Sequence, residues 1–190
     1  MQTTPPPFDD ELLLSPPETL ALIDGLAARL HAERMALFPT HPPSGWVVVG
    51  IRRGGARVAE RLWERLCQRL EKAIPIGFLD ITFYRDDLDT IGPNPVVGET
   101  DLQMDIDDKR VILVDDVLFT GRTIRAAMNA LFDYGRPESV DLLVLVDRGG
   151  RQLPIQPHHV GLVVQSAAGE FIKLLDEGDH MHVVRRKLRE

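Results

Sequence analysis

The sequence predicts an α/β fold, with a central, mostly parallel sheet flanked by helices. Three observations lead there. Runs of apolar, mostly β-branched residues such as Val111-Ile112-Leu113-Val114 read as strands buried on both faces. Helical periodicities alternate with those runs, the pattern of parallel strands joined by right-handed crossovers. Three runs exit into polar, glycine-containing loops, at 52–55, 115–123 and 147–151. A parallel topology gathers such loops at one sheet edge, where open α/β sheets bind ligands.

The bulk numbers narrow the class. A chain of 190 residues suits one domain with a sizeable core. Its 44% hydrophobic and 27% charged content are those of a soluble globular protein. No apolar run has the length of a membrane span, and no basic-then-apolar signal segment opens the chain. A cytoplasmic protein with no membrane partner is therefore expected. The single cysteine, Cys67, excludes an intrachain disulfide and a cysteine-cluster metal site, and its helical setting reads it as a small core residue. A net charge of −7 argues against general nucleic-acid binding and leaves only a local basic patch.

Taken in order, residues 1–17 hold a Pro-Pro-Pro run and the pair Pro16-Pro17, which predicts a mobile, proline-rich lead-in. One domain is expected over 18–190. Glu18 to about Leu37 carries Leu20, Ile23, Leu26, Ala27 and Leu30 at helical spacing, and Pro39 with Pro42-Pro43-Ser44-Gly45 ends that helix. Trp46 to Ile51 reads as a buried strand that runs into Arg52-Arg53-Gly54-Gly55 and a helix from Ala56 to about Leu70. Glycines let backbone N–H groups face an anion, and the two arginines supply charge and forked donors. Pro75 to Phe83 reads as a strand. The polar stretch that follows, about 84–108, is expected to be a mobile flap. Beyond the central stretch, Tyr134-Gly135-Arg136-Pro137 closes a helix. Val140–Val146 and Val160–Val164 read as strands, Phe171–Leu175 as a late strand, and Arg185 to Arg189 as a basic, solvated tail.

The stretch at the centre is Val111 to Thr123. Its apolar strand leads to Asp115 and Asp116, then to a turn with Thr120, Gly121 and Thr123, then to a helical pattern from Ile124 to Leu131. A loop entering a helix offers unpaired N–H groups and the positive end of the dipole to a phosphate. Gly121 permits close approach, and the threonine hydroxyls add donors. The two acids suit ribose hydroxyls, or Mg²⁺ held through its waters. A ligand with all these needs is a phosphorylated sugar diphosphate. The competing reading is a buried strand and a capped helix with merely solvated acids.

This run resembles the 5-phosphoribosyl-1-pyrophosphate (PRPP) signature of type I phosphoribosyltransferases. Together with Val49 to Gly54, Asp80 to Leu88 and Leu145 to Pro154, it resembles the PyrR family of pyrimidine-operon regulators with uracil phosphoribosyltransferase activity. The similarity spans roughly 18–182. It implies a type I phosphoribosyltransferase fold with a mobile flap and a small hood, and Mg²⁺-dependent conversion of uracil and PRPP to UMP and pyrophosphate. By that resemblance Arg52, Arg53 and Gly54 bind pyrophosphate, and Arg85 comes from the flap. Asp115 and Asp116 hold the ribose and act in catalysis with Arg85, with Mg²⁺ carried by PRPP and held by the same two acids. Val117, Leu118, Phe119, Thr120, Gly121, Arg122 and Thr123 complete the PRPP site. Asp147, Arg148 and Gly149 belong to a hood over uracil or its nucleotide.

A homo-oligomer and a pyrimidine-leader RNA partner are also implied. The first helix departs from the Gram-positive pattern of a Thr-Arg pair and a His, reading Leu22-Ile23-Asp24-Gly25-Leu26-Ala27-Ala28-Arg29 instead. Two other readings stay open: a non-catalytic, nucleotide-sensing RNA-binding regulator, and a phosphoribosyltransferase for another base.

Overall fold

The computed structural model describes residues 8–37, 45–82, 100–178 and 180–189, the side chains of 34–37 excepted. Five parallel strands form the central sheet: β2 (Trp46–Ile51), β3 (Ile76–Leu79), β4 (Arg110–Leu118), β5 (Ser139–Asp147) and β6 (His159–Val163), in the order β3-β2-β4-β5-β6. Each residue of β2 is buried, so its apolar run does not alternate with polar residues. Its odd and even positions serve opposite faces. Trp46 and Val48 pack with Ile112, Val114, Leu143 and Leu145 against α1 (Pro16–Leu37) and α2 (Gly54–Leu70). Val47, Val49 and Ile51 pack with Val111, Leu113, Leu142 and Val144 against α3 (Arg122–Phe132). Helix α2 shows why it docks there: Gly55, Ala56, Val58, Ala59, Leu62 and Leu66 recur on one face and are buried. Truncating fully buried Leu62 to Ala would cost roughly 2–5 kcal/mol. Among the described residues no helix is long and apolar enough to cross a membrane. Cys67 is half-buried at the edge of the first core cluster.

A second, antiparallel sheet forms from β1 (Phe8–Leu14), β8 (His180–Leu188) and β7 (Glu170–Glu177), in the order β1-β8-β7. Ile172, Met181 and Val183 tie it into the core cluster under α1 and α2.

Several expectations are corrected here. The lead-in through residue 17 is not mobile from Phe8 on, because Phe8–Leu14 is a paired strand. Pro16-Pro17 opens α1 rather than preceding it: Ser15 N and Oγ both donate to Glu18 Oε2, at 2.8 and 2.5 Å, and Thr19 N donates to Ser15 O. Proline suits this first turn, where its missing N–H has no intrahelical partner to lose. Strand β3 stops at Leu79, four residues short of expectation, because the Asp80 carboxylate turns back to accept the Thr82 N–H at 2.7 Å.

The far end of the expected flap is fixed structure. Phe78 and Asp101 exchange two backbone hydrogen bonds of 2.8 Å, and Ile106 is fully buried. The rest of that stretch, with Arg85, lies outside the described residues. The basic tail is the end of strand β8 and the residue after it, and its arginines pair with acids of β1. Arg185 pairs with Glu11 at 2.8 Å, Arg186 with Asp10 at 2.6 Å and Arg189 with Asp9 at 2.5 Å.

Candidate active site

Because β2, β4 and β5 are parallel, their carboxyl ends share one edge, and their three exit loops touch there. The loop after β2 lies directly against the end of β4. A Cβ placed on Gly54 would overlap the Asp116 carboxylate. One on Gly55 would come within 2.6 Å of the Val114 carbonyl oxygen and 2.8 Å of Asp115 Cα. The two glycines are thus required by close packing of α2's first turn on the acid pair. Arg52 and Arg53 precede them, joined by a cis peptide bond. Arg53 is exposed. Arg52 is half-buried over the Phe78 ring at 5.4 Å, and its Nε has no hydrogen-bond partner among the described residues.

The acids lie inside β4 rather than beyond it, since pairing with β5 continues from Asp115 through Leu118. Asp115 is buried, and its Oδ1 accepts the Asp116 N–H at 3.0 Å. Burial, and then the Asp116 charge beside it, push the Asp115 carboxyl well above the usual carboxylate range. Asp116 is half-buried. Two neighbouring acids thus sit in different environments, one desolvated and one facing the crevice.

Beyond them the chain turns at Gly121, in the left-handed region with φ 90°, and enters α3. Thr120 Oγ1 accepts the Arg122 N–H at 3.3 Å. The remaining first-turn N–H groups form the anion-facing end of the helix. Leu118 is an exception among the expected ligand residues: its side chain is buried in the core with α3, so only its backbone faces the loop. Val117 packs against the opposite core cluster.

The loop after β5 folds over this turn. Gln152 and Leu153 N–H groups donate to the Thr120 carbonyl at 3.0 and 3.1 Å, and Arg148 N donates to the Leu118 carbonyl at 3.0 Å. The Arg148 guanidinium lies 3.9 Å from the Phe119 ring centroid and donates to the Glu170 carbonyl of β7 at 3.0 Å. Phe119 is 42% exposed, a large apolar surface left open at the crevice. Asp147 uses both carboxylate oxygens internally, on Gly149 N at 2.9 Å and on Arg151 Nη2 at 2.5 Å.

The structure therefore brings together Arg52, Gly54, Asp115, Asp116, the 119–123 turn and the 147–149 loop. Gly55 and Arg151 fall within the loops 52–55 and 147–151 to which the sequence points, but neither is assigned a role of its own there. The Gly-Gly pair signalled the first. The i,i+4 spacing to Asp147 is the local signal for the second, whereas its Phe119 carbonyl partner lies on another loop.

Residues 11–172 match the family model of the phosphoribosyl transferase domain. The fold is shared with the hypoxanthine phosphoribosyltransferase of Trypanosoma cruzi, at a TM-score of 0.68 and 19% identity over 92% of this chain and 96% of that one. The Staphylococcus aureus enzyme of the same name gives a TM-score of 0.64 at 21% identity over 94% and 92%. Fold and matched domain together define a phosphoribosyltransferase. Much nearer in sequence is the bifunctional protein PyrR of Ligilactobacillus salivarius, 52% identical over 136 residues, which are 70% of this chain and 76% of that protein. The bifunctional protein PyrR of Akkermansia muciniphila is 41% identical over 168 residues, or 87% and 94% of the two chains. The chain belongs to the PyrR family.

Proposed function

We propose that this protein transfers the phosphoribosyl group of PRPP to uracil, giving UMP and pyrophosphate, and that it also serves UMP-responsive regulation of pyrimidine genes. The observation that carries the enzyme reading is the contact of three loops at one sheet edge: the Arg-Arg-Gly-Gly turn, the acid pair with its phosphate turn, and the hood loop. PyrR membership supplies the choice of base and the second, regulatory role.

In the reaction the bond from ribose C1 to the pyrophosphate oxygen breaks, and its electron pair leaves with pyrophosphate. C1 gains a bond to uracil N1, and the N1 proton is released. Charge at C1 in the transition state is cationic, as in glycoside transfer. The Asp116 carboxylate, at the crevice, stabilises that charge and accepts ribose hydroxyls. Arg52 and Arg53 meet the leaving pyrophosphate with forked, permanently charged donors. The first turn of α3 holds the 5′-phosphate. Phe119 gives the base an apolar surface beneath the hood. No covalent nucleophile takes part.

The donor set also fits Mg²⁺. Among the described residues there is no cluster of three metal-ligating side chains. Of the adjacent pair Asp115 and Asp116, the half-exposed Asp116 carboxylate suits a hard cation that keeps several waters and takes its other oxygens from a diphosphate, with buried Asp115 behind it. Bound there, Mg²⁺ would neutralise charge on the pyrophosphate.

The test is a panel of bases with PRPP and Mg²⁺. Uracil should be the preferred acceptor. Preference for orotate or a purine would replace uracil in this reading, and no turnover with any base would leave a nucleotide-sensing regulator.

A further inference from the structure

In the proposed reaction base and sugar are held by different loops, and the Arg151 side chain spans the two loops. Arg151 Nη2 donates to Asp147 Oδ2 at 2.5 Å, and Nη1 donates to the Phe119 carbonyl at 2.8 Å and the Gly149 carbonyl at 3.4 Å. Its Nε donates to the Ile155 carbonyl at 3.1 Å. The side chain is only 20% exposed. Each contact is to a neighbour on the hood loop except one, and that one is the residue between Leu118 and Thr120, whose own carbonyls receive hood N–H groups.

Phe119 is fixed from two sides. Arg148 covers its ring, a Cβ on Gly150 would overlap it, and Arg151 holds its carbonyl. Arg122 Nε adds a bond to Gln152 Oε1 at 3.1 Å. Transfer between two held groups needs the reacting atoms about 3–3.5 Å apart and aligned, and small misplacement is costly. We propose that Arg151 is a positioning residue, which locks the hood loop to the phosphate loop so that base and ribose C1 meet in register. The inference rests on the uracil-transfer reading. A planar fork with donors in three directions is required, which a lysine ammonium cannot reproduce.

Two variants test it, Arg151→Lys and Arg151→Met, each checked for fold by circular dichroism. Ribose 5-phosphate engages the phosphate loop alone, whereas UMP engages both loops. Both variants should bind ribose 5-phosphate within about threefold of wild type. UMP affinity and kcat/KM for uracil should fall about tenfold or more, with KM for PRPP little changed. Equal weakening of UMP and ribose 5-phosphate, or wild-type transfer by Arg151→Lys, would overturn the proposal. If Arg151→Met does not fold, Arg151→Lys alone carries the comparison. A wild-type protein that binds ribose 5-phosphate but transfers to no pyrimidine would instead sink the uracil reading, and this inference with it.

Discussion

No carbon atom fits between Gly54 and the carboxylate of Asp116. The turn that follows β2 is pressed against an acid inside β4, so the proposed pyrophosphate and ribose ends of the site form a single packed unit.

Gly54→Ala and Gly55→Ala should therefore differ. The first meets the end of a side chain, so Asp116 rotates away and transfer falls about tenfold or more while the melting temperature moves little. The second meets the Val114 carbonyl and Asp115 Cα, which move only with the strand, and should destabilise by about 1–3 kcal/mol. Steady-state kinetics beside thermal melts would separate them. A large melting loss for Gly54→Ala would contradict this packing.

Asp115 gives a pH signature. Burial and the Asp116 charge raise its carboxyl above the unfolded value. Such a group favours the folded state fully below its unfolded pKa, and that contribution is lost as pH rises through the folded value. Asp115→Asn, which keeps an acceptor for the Asp116 N–H, should raise the melting temperature more at pH 8 than at pH 4. Asp115→Asn with Asp116→Asn should lower transfer far more than stability. An equal melting shift at both pH values, or wild-type turnover by the double variant, would count against these assignments.

The pair Asp10–Arg186 in the antiparallel sheet titrates in the other sense. A hydrogen bond from the Arg186 guanidinium holds the Asp10 carboxyl below its ordinary value. Its contribution is present above the unfolded pKa and is lost as pH falls through the folded one. Solvent screening limits the pair to under about 1 kcal/mol. Asp10→Asn should cost that much near neutrality and progressively less as pH falls below the ordinary carboxylate range, as read by denaturant midpoints.

RNA binding should be weak and steeply salt-dependent. Arg185, Arg186 and Arg189 are engaged by Glu11, Asp10 and Asp9. On the first helix Arg29 donates to the Val160 carbonyl, and Asp24 lies 3.6 and 3.5 Å from Arg65 and Arg69. Phosphates would have to displace these partners, and each neutralised phosphate steepens the salt slope. Filter binding of pyrimidine-leader RNA at two salt concentrations, with and without UMP, checks this. Tight, UMP-stimulated binding at physiological salt would refute it.

The central sheet and the edge where its loops gather are legible in the sequence. Trp46 to Ile51 and Val111 to Val114 are apolar without alternation because both their faces are covered, and Thr120-Gly121 with α3's first turn is a local motif whose geometry the chain can encode in a few residues. Long-range pairing, by contrast, emerges only in the folded chain. Phe8–Leu14 reads as a lead-in because the three-stranded antiparallel sheet depends on β8, far along the chain, whose arginines meet its acids. Asp115 and Asp116 carry the same side chain, and only the fold buries the first while leaving the second half-exposed. Arg151 looks like any loop arginine until the fold delivers the Phe119 carbonyl to it. Periodicity and turn chemistry act between neighbours in sequence, whereas desolvation and carbonyl capture depend on segments brought together only when the sheet closes.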